Sequence, residues 1–326
     1  MTSIPIPFAG TVRRHTRRTV RSVLEASVGL YLKSLDLRGR MTTPELKLTR
    51  AVCDAYLVRQ WPADDDIDVA TVDEPFDRAR VRGEWHEAPG ATDRSGPILL
   101  YVHGGGFVFG SPETHRTLTG ELSRRLGWPA FSVDYRLAPE HPHPAAADDV
   151  LRAWRWLLDR GVDPSRVVVA GDSAGGHLAL GLPSRAVRAS MPVPAAVVAL
   201  SPAADPGFTE ALAMAEPPDR SIPVGAAVAV VRAYGQGADD PDLRLTVGDL
   251  SVMPPTLVHA AEHEFCGPDA AAYVTALREV GGTVEYRTWP RTWHVFHLAH
   301  RRLRAADEAL DDIVRFAHGH VDRPTP

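Results

Sequence analysis

Along the chain, short and nearly continuous apolar runs rich in β-branched residues are separated by longer stretches with helical spacing. The runs at 98–102, 130–134, 167–170, 195–200, 256–260 and 283–287 have the pattern of strands buried on both faces of a sheet. Their alternation with helical stretches predicts a mostly parallel sheet covered by helices. Before them, 68–72 and 80–86 alternate polar with apolar residues and predict an antiparallel pair at the sheet edge, followed by a loop over 90–96. The expected fold class is α/β, with an eight-stranded sheet flanked by helices.

Two regions stand outside this rhythm. Residues 1 to about 50 are helical in pattern and poor in strands. Residues from about 203 to 250 are punctuated by Pro, Gly and Asp, with one helical patch at 224–234. Neither carries a core of its own, so the two are expected to form a helical cap on a single domain. The catalytic core would then be about 51–202 and 251–326. Near the start, Arg13, Arg14, Arg17, Arg18 and Arg21 lead into a partly apolar stretch at 20–32. Glu25 interrupts that stretch, which predicts an amphipathic helix packed on the protein rather than a secretory or membrane-surface segment.

Composition narrows the function class only slightly. The 326 residues are 44% hydrophobic and 24% charged, as in an ordinary soluble enzyme. A net charge of -5 gives no electrostatic reason to expect nucleic acid or an anionic membrane as partner. No apolar run approaches the roughly 20 residues of an integral membrane segment. Two cysteines, Cys53 and Cys266, cannot build a disulfide framework or a thiolate metal site, which fits a cytoplasmic location.

Chemistry enters at Gly171-Asp172-Ser173-Ala174-Gly175, between the strand at 167–170 and a predicted helix over 174–182. A sharp strand-to-helix turn forces its central residue into unfavourable dihedrals and requires small neighbours. Ser173 would be held out at the sheet edge as a nucleophile; the alternative is a helix-capping serine in a glycine-rich turn. That alternative leaves His103-Gly104-Gly105-Gly106, after the strand at 98–102, without an explanation. Consecutive glycines are costly to order, and make sense where backbone N–H groups must approach a developing oxyanion. Gly105, Gly106 and Ala174 are the expected donors. A phosphate-binding loop is disfavoured, because neither of its glycine spacings is present here.

A serine nucleophile needs a base, expected on a loop after the last strand. His294 occupies that place, while His297 and His300 follow at helical spacing and read as packing. The acid that orients the base should follow the strand at 256–260, where Glu262, Glu264 and Asp269 compete. Asp269 follows Gly267-Pro268, a helix start, and has a ready role there. His259-Ala260-Ala261-Glu262-His263 also matches a zinc-protease pattern. Four residues on a strand span about 13 Å, too far for two ligands of one ion, so no metal is expected.

Three stretches together carry a resemblance. They are Tyr101-Val102-His103-Gly104-Gly105-Gly106-Phe107, Asp134-Tyr135-Arg136-Leu137-Ala138-Pro139-Glu140-His141-Pro142 and Gly171-Asp172-Ser173-Ala174-Gly175-Gly176. With them the chain resembles the hormone-sensitive-lipase family of α/β-hydrolases, in its bacterial carboxylesterase branch, over about 69–316. The resemblance implies an α/β-hydrolase fold, no cofactor, and a carboxylic-ester hydrolase for short to medium acyl esters working through an acyl-enzyme. It places Glu264 where the family has an aspartate, a departure of one methylene, with Asp269 and Asp205 as the competing acids. Ser201-Pro202-Ala203-Ala204-Asp205 lacks an aromatic residue common in the family, which implies a wider pocket. The expected partner is a small-molecule ester, with a homodimer compatible. The same apparatus would serve a lactone, thioester or amide hydrolase or an acyltransferase. A non-catalytic ligand-binding protein on this fold is the alternative outside enzymes.

Overall fold

The computed structural model describes residues 43–214, 224–236 and 240–321. Helix α1 (Thr43–Gln60) leads into strands β1 (Asp68–Phe76), β2 (Ala79–Glu87) and β3 (Ile98–Val102). Then come α2 (Pro112–Leu126), β4 (Ala130–Val133) and α3 (Ala145–Asp159). Strand β5 (Val167–Asp172) runs directly into α4 (Ser173–Arg188), followed by β6 (Ala196–Leu200), α5 (Thr209–Ala213) and α6 (Val224–Gly235). Strand β7 (Thr256–Ala261), α7 (Gly267–Glu279), β8 (Val284–Trp289) and α8 (Arg304–Val321) complete the described chain.

The eight strands form one sheet in the order β1-β2-β4-β3-β5-β6-β7-β8. The joints of β2 to β1 and to β4 are antiparallel and all the others are parallel. This is the α/β-hydrolase fold. The edge hairpin is longer than the polar alternation alone indicates. Its two-residue turn is Asp77-Arg78, with φ of 47° and 61°. Two left-handed residues match the twist of the flanking strands, but such turns usually announce themselves by Asn-Gly.

Successive strand residues face opposite sides, so the sheet supports two cores. Leu100, Val102 and Val169 meet Trp154 of α3 and Leu178 of α4 on one face. Leu99, Tyr101 and Val168 meet Leu118 of α2 and Ile313 of α8 on the other. Each fully buried Leu or Val contributes about 1.5–3 kcal/mol, which fixes the strand ends within the sheet. Helix α4 continues through Pro183 to Arg188, beyond the predicted end. The amphipathic helix expected at 20–32 lies outside the described residues. No helix among the described residues is long and apolar enough to cross a membrane.

Candidate active site

The C-terminal ends of β3, β5, β7 and β8 carry the loops that meet at one place, as parallel sheets arrange. Ser173 follows the last residue of β5 and has a φ of 52°, a left-handed conformation costly for any residue but glycine. The turn is possible because its flanks carry no side chains. A Cβ on Gly171 would lie 2.3 Å from the Gly175 carbonyl oxygen, and one on Gly175 would lie 2.1 Å from that of Val102.

His294 follows β8, with its Nε2 2.9 Å from Ser173 Oγ and its Nδ1 2.8 Å from Glu264 Oε2. An ionised carboxylate can only accept, so Nδ1 carries the proton and Nε2 accepts from the hydroxyl. Glu264 is buried, and its other oxygen accepts the Ala261 N–H at 2.9 Å. Glu264 sits in a tight turn after β7, in which the Gly267 N–H donates to the Glu264 carbonyl at 3.1 Å. The His294 loop is itself tied down. Val295 sits at a φ of 52°, an outlier for a β-branched residue, and its N–H donates to Ser201 Oγ at 3.1 Å.

The competing carboxylates are engaged elsewhere. Asp269 accepts the N–H groups of Glu210 at 2.9 Å and Ala211 at 3.3 Å. Burial outweighs those bonds and pushes its pKa up to about 6. Asp205 accepts from the Gly207 N–H at 2.7 Å and the Thr209 hydroxyl at 2.5 Å. Glu262 is exposed beside His263, 3.8 Å away. His259 is buried in β7, 3.2 Å from His297 Nε2 and 3.0 Å from Asp312. His259 and His263 thus have separate partners. His297 and His300 lie in and just after a short 3-10 turn; both are buried, and His300 Nε2 is 3.2 Å from Thr117 Oγ1.

Of the three successive glycines, Gly104 has its N–H occupied, donating to Asp172 Oδ1 at 3.0 Å. Gly105, Gly106 and Ala174 all border the same cavity as Ser173. Asp172 was invisible as a functional residue in the sequence. It stands at the N-cap of α4, where a carboxylate usually caps the helix, yet its side chain makes no cap bond. Instead it accepts from Tyr101 Oη at 2.6 Å and lies 3.4 Å from His115 Nε2. Burial opposes its charge, but His115 and the Tyr101 bond prevail and hold its pKa at about 2. The one available signal was a carboxylate ending an otherwise apolar strand.

Ser173 and His294 line a cavity of about 310 Å³. Leu57 of α1, Val230 and Val231 of α6, and Phe208, Phe265 and Leu298 give it apolar walls. That volume is at the small end for a ligand pocket, and the few polar groups converge on one side chain pair. The arrangement suits attack by a hydroxyl on a neutral carbonyl compound with an apolar acyl part.

Comparison with known proteins points the same way. A family described as alpha/beta hydrolase fold matches residues 99–298. An acetyl-hydrolase of Streptomyces hygroscopicus is 36% identical over 233 residues, covering 69% of this chain and 78% of the relative. An esterase of Acinetobacter venetianus is 30% identical over 296 residues, covering 88% and 95%. Among solved structures, an esterase from the bacterial hormone-sensitive lipase family superposes with a TM-score of 0.75 at 32% identity, over 90% of this chain and 98% of that one.

Proposed function

This chain belongs to the hormone-sensitive-lipase family of α/β-hydrolases, and we propose that it cleaves short to medium acyl esters through Ser173, His294 and Glu264. It is a serine hydrolase of the carboxylesterase type. The observation that carries the finer reading is the hydrogen-bonded file from Ser173 Oγ through His294 to Glu264, opening on an apolar cavity. In this reading the Ser173 oxygen attacks the ester carbonyl carbon while His294 Nε2 takes its proton. Glu264 stabilises the imidazolium so formed and keeps its Nδ1 proton in place. The carbonyl oxygen becomes an oxyanion, met by the N–H groups of Gly105, Gly106 and Ala174. Collapse breaks the bond to the alkoxy oxygen, which leaves as the alcohol with the proton from His294. Water, deprotonated by His294, then attacks the acyl-enzyme, and the carboxylic acid departs as Ser173 regains its proton.

The cap belongs to the same reading. Leu57 comes from α1, which spans the end of the first cap segment, and Ala227, Val230 and Val231 come from the second, so the acyl group would be held between cap and sheet. The decisive experiment is Ser173→Ala with an ester panel of graded acyl length. The variant keeps its melting temperature, loses hydrolysis and no longer reacts with a fluorophosphonate probe. Turnover retained in that variant would sink the proposal. A wild-type protein that reacts with neither probe nor ester would favour a ligand-binding role.

A further inference from the structure

The geometry points to Asp54 and Arg50, on α1, as positioning residues that clamp the oxyanion loop from outside the sheet. The inference rests on the esterase reading above and concerns how its loop at 104–110 is held in place.

That loop is rich in glycine, so its own backbone does little to define where the donors of Gly105 and Gly106 stand. Inside the turn, the N–H groups of Val108 and Phe109 both donate to the Gly105 carbonyl at 3.0 Å. The other end of the Val108 peptide is held from α1, by Arg50 Nε donating to the Val108 carbonyl at 2.7 Å. The same guanidinium donates through Nη2 to the Ala138 carbonyl at 2.8 Å. Ala138 in turn donates its N–H to the Phe107 carbonyl at 2.9 Å, so one side chain joins two turns that already touch. Glu140 fixes the guanidinium from its far side, with contacts of 2.8 Å and 3.1 Å.

One helical turn along α1, Asp54 Oδ1 accepts the Gly110 N–H at 2.8 Å. Gly110 packs closely against the start of the loop, with no room for a side chain between them: a Cβ there would lie 2.5 Å from the Gly104 carbonyl oxygen and 2.9 Å from His103 Nδ1. A pull on Gly110 is therefore transmitted to Gly104, whose own N–H is held from below by Asp172. The loop is gripped at Gly104 from the sheet, and at Val108 and Gly110 from α1. Leu57, a further turn along, reaches the cavity, so the helix that positions the loop also lines the pocket. Small displacements matter here, because an oxyanion donor acts only within hydrogen-bond distance of the oxygen as it becomes charged.

The test compares Asp54→Ala, which removes the acceptor, with Asp54→Asn, which retains an acceptor oxygen without the charge. Steady-state hydrolysis of p-nitrophenyl acetate is measured beside thermal melting. Asp54→Ala lowers kcat about tenfold or more with KM within about twofold, and Asp54→Asn recovers most of that loss. Arg50→Lys, which keeps a charge for Glu140 but cannot serve both carbonyls through one planar fork, melts near the wild type and lowers kcat about tenfold. The inference is overturned if kcat in Arg50→Lys or Asp54→Ala equals the wild type, if the loss lies wholly in KM, or if Asp54→Asn is no better than Asp54→Ala. Should Asp54→Ala not fold, Arg50→Lys alone decides. Absence of ester turnover in the wild type would instead count against the esterase reading.

Discussion

At the scale of single residues, the acid behind His294 is the most informative choice. Four carboxylates lie in the relevant stretches of chain, and composition does not rank them. Glu264 is the one within hydrogen-bond reach of His294 Nδ1, while Asp269 and Asp205 hold backbone N–H groups of their neighbours. Removing the charge from Glu264 should leave the imidazole in place with the wrong proton. Glu264→Gln is accordingly expected to lower kcat by about a thousandfold or more with little change in KM. Asp269→Asn is expected to keep kcat within a few-fold and to move only the melting temperature. If the two phenotypes were exchanged in a kinetic comparison, the acid would have to be reassigned to Asp269. Ser201 and Val295 are a second lesson at this scale. Both adopt left-handed backbones, and nothing in their side-chain chemistry announces it.

At the scale of elements, helix α4 combines two rules that pull in opposite directions. Its first residue is strained at φ 52° to present a hydroxyl, and its interior contains Pro183, which cannot donate to the turn before it. A proline at that position removes a hydrogen bond and is expected to kink the helix. The helix nevertheless runs on to Arg188, because Leu178, Leu180, Leu182 and Ala186 are buried in the core along its length. Packing of that face outweighs one missing hydrogen bond. Pro183→Ala restores the donor at the cost of a small loss of buried volume. It should stabilise the protein by about 1 kcal/mol, a rise of roughly 1–2 °C in melting temperature for a chain of this size. A fall in the melting temperature would mean that the proline ring is needed for packing. The hairpin of β1 and β2 shows the converse case, where Asp77-Arg78 forms a turn that its residue types do not advertise.

At the scale of the whole molecule, burying so many histidines makes stability depend on pH. Burial is the main cause that pulls His103 down to about 3 and His177 down to about 4. Both stay neutral in the fold and take up protons near 6.5 once exposed, so the unfolded chain binds more protons between about pH 6.5 and 4. Stability therefore falls as pH falls through that window. Asp269, pushed up to about 6, acts in the opposite sense from about pH 6 to 4, because the folded state takes its proton first. Two histidines outweigh one carboxyl, and below about pH 4 Asp172, held at about 2, adds a further loss. Melting midpoints should drop by about 5 °C or more between pH 7 and about 4.5, and His177→Gln should flatten the slope. A midpoint that rises on acidification would contradict this account. The alternation that builds the sheet, and the places of Ser173, the glycine run at 104–106 and His294, are legible in the sequence alone. Both are local matters: buried strands need apolar runs, and a strained turn needs small neighbours. Only the tertiary structure decided which carboxylate meets His294, that Asp172 turns down to the oxyanion loop instead of capping α4, and that Arg50 and Asp54 reach that loop across more than fifty residues of sequence. Those are choices among side chains of like chemistry, and they depend on distances that close only when the strand ends are brought together.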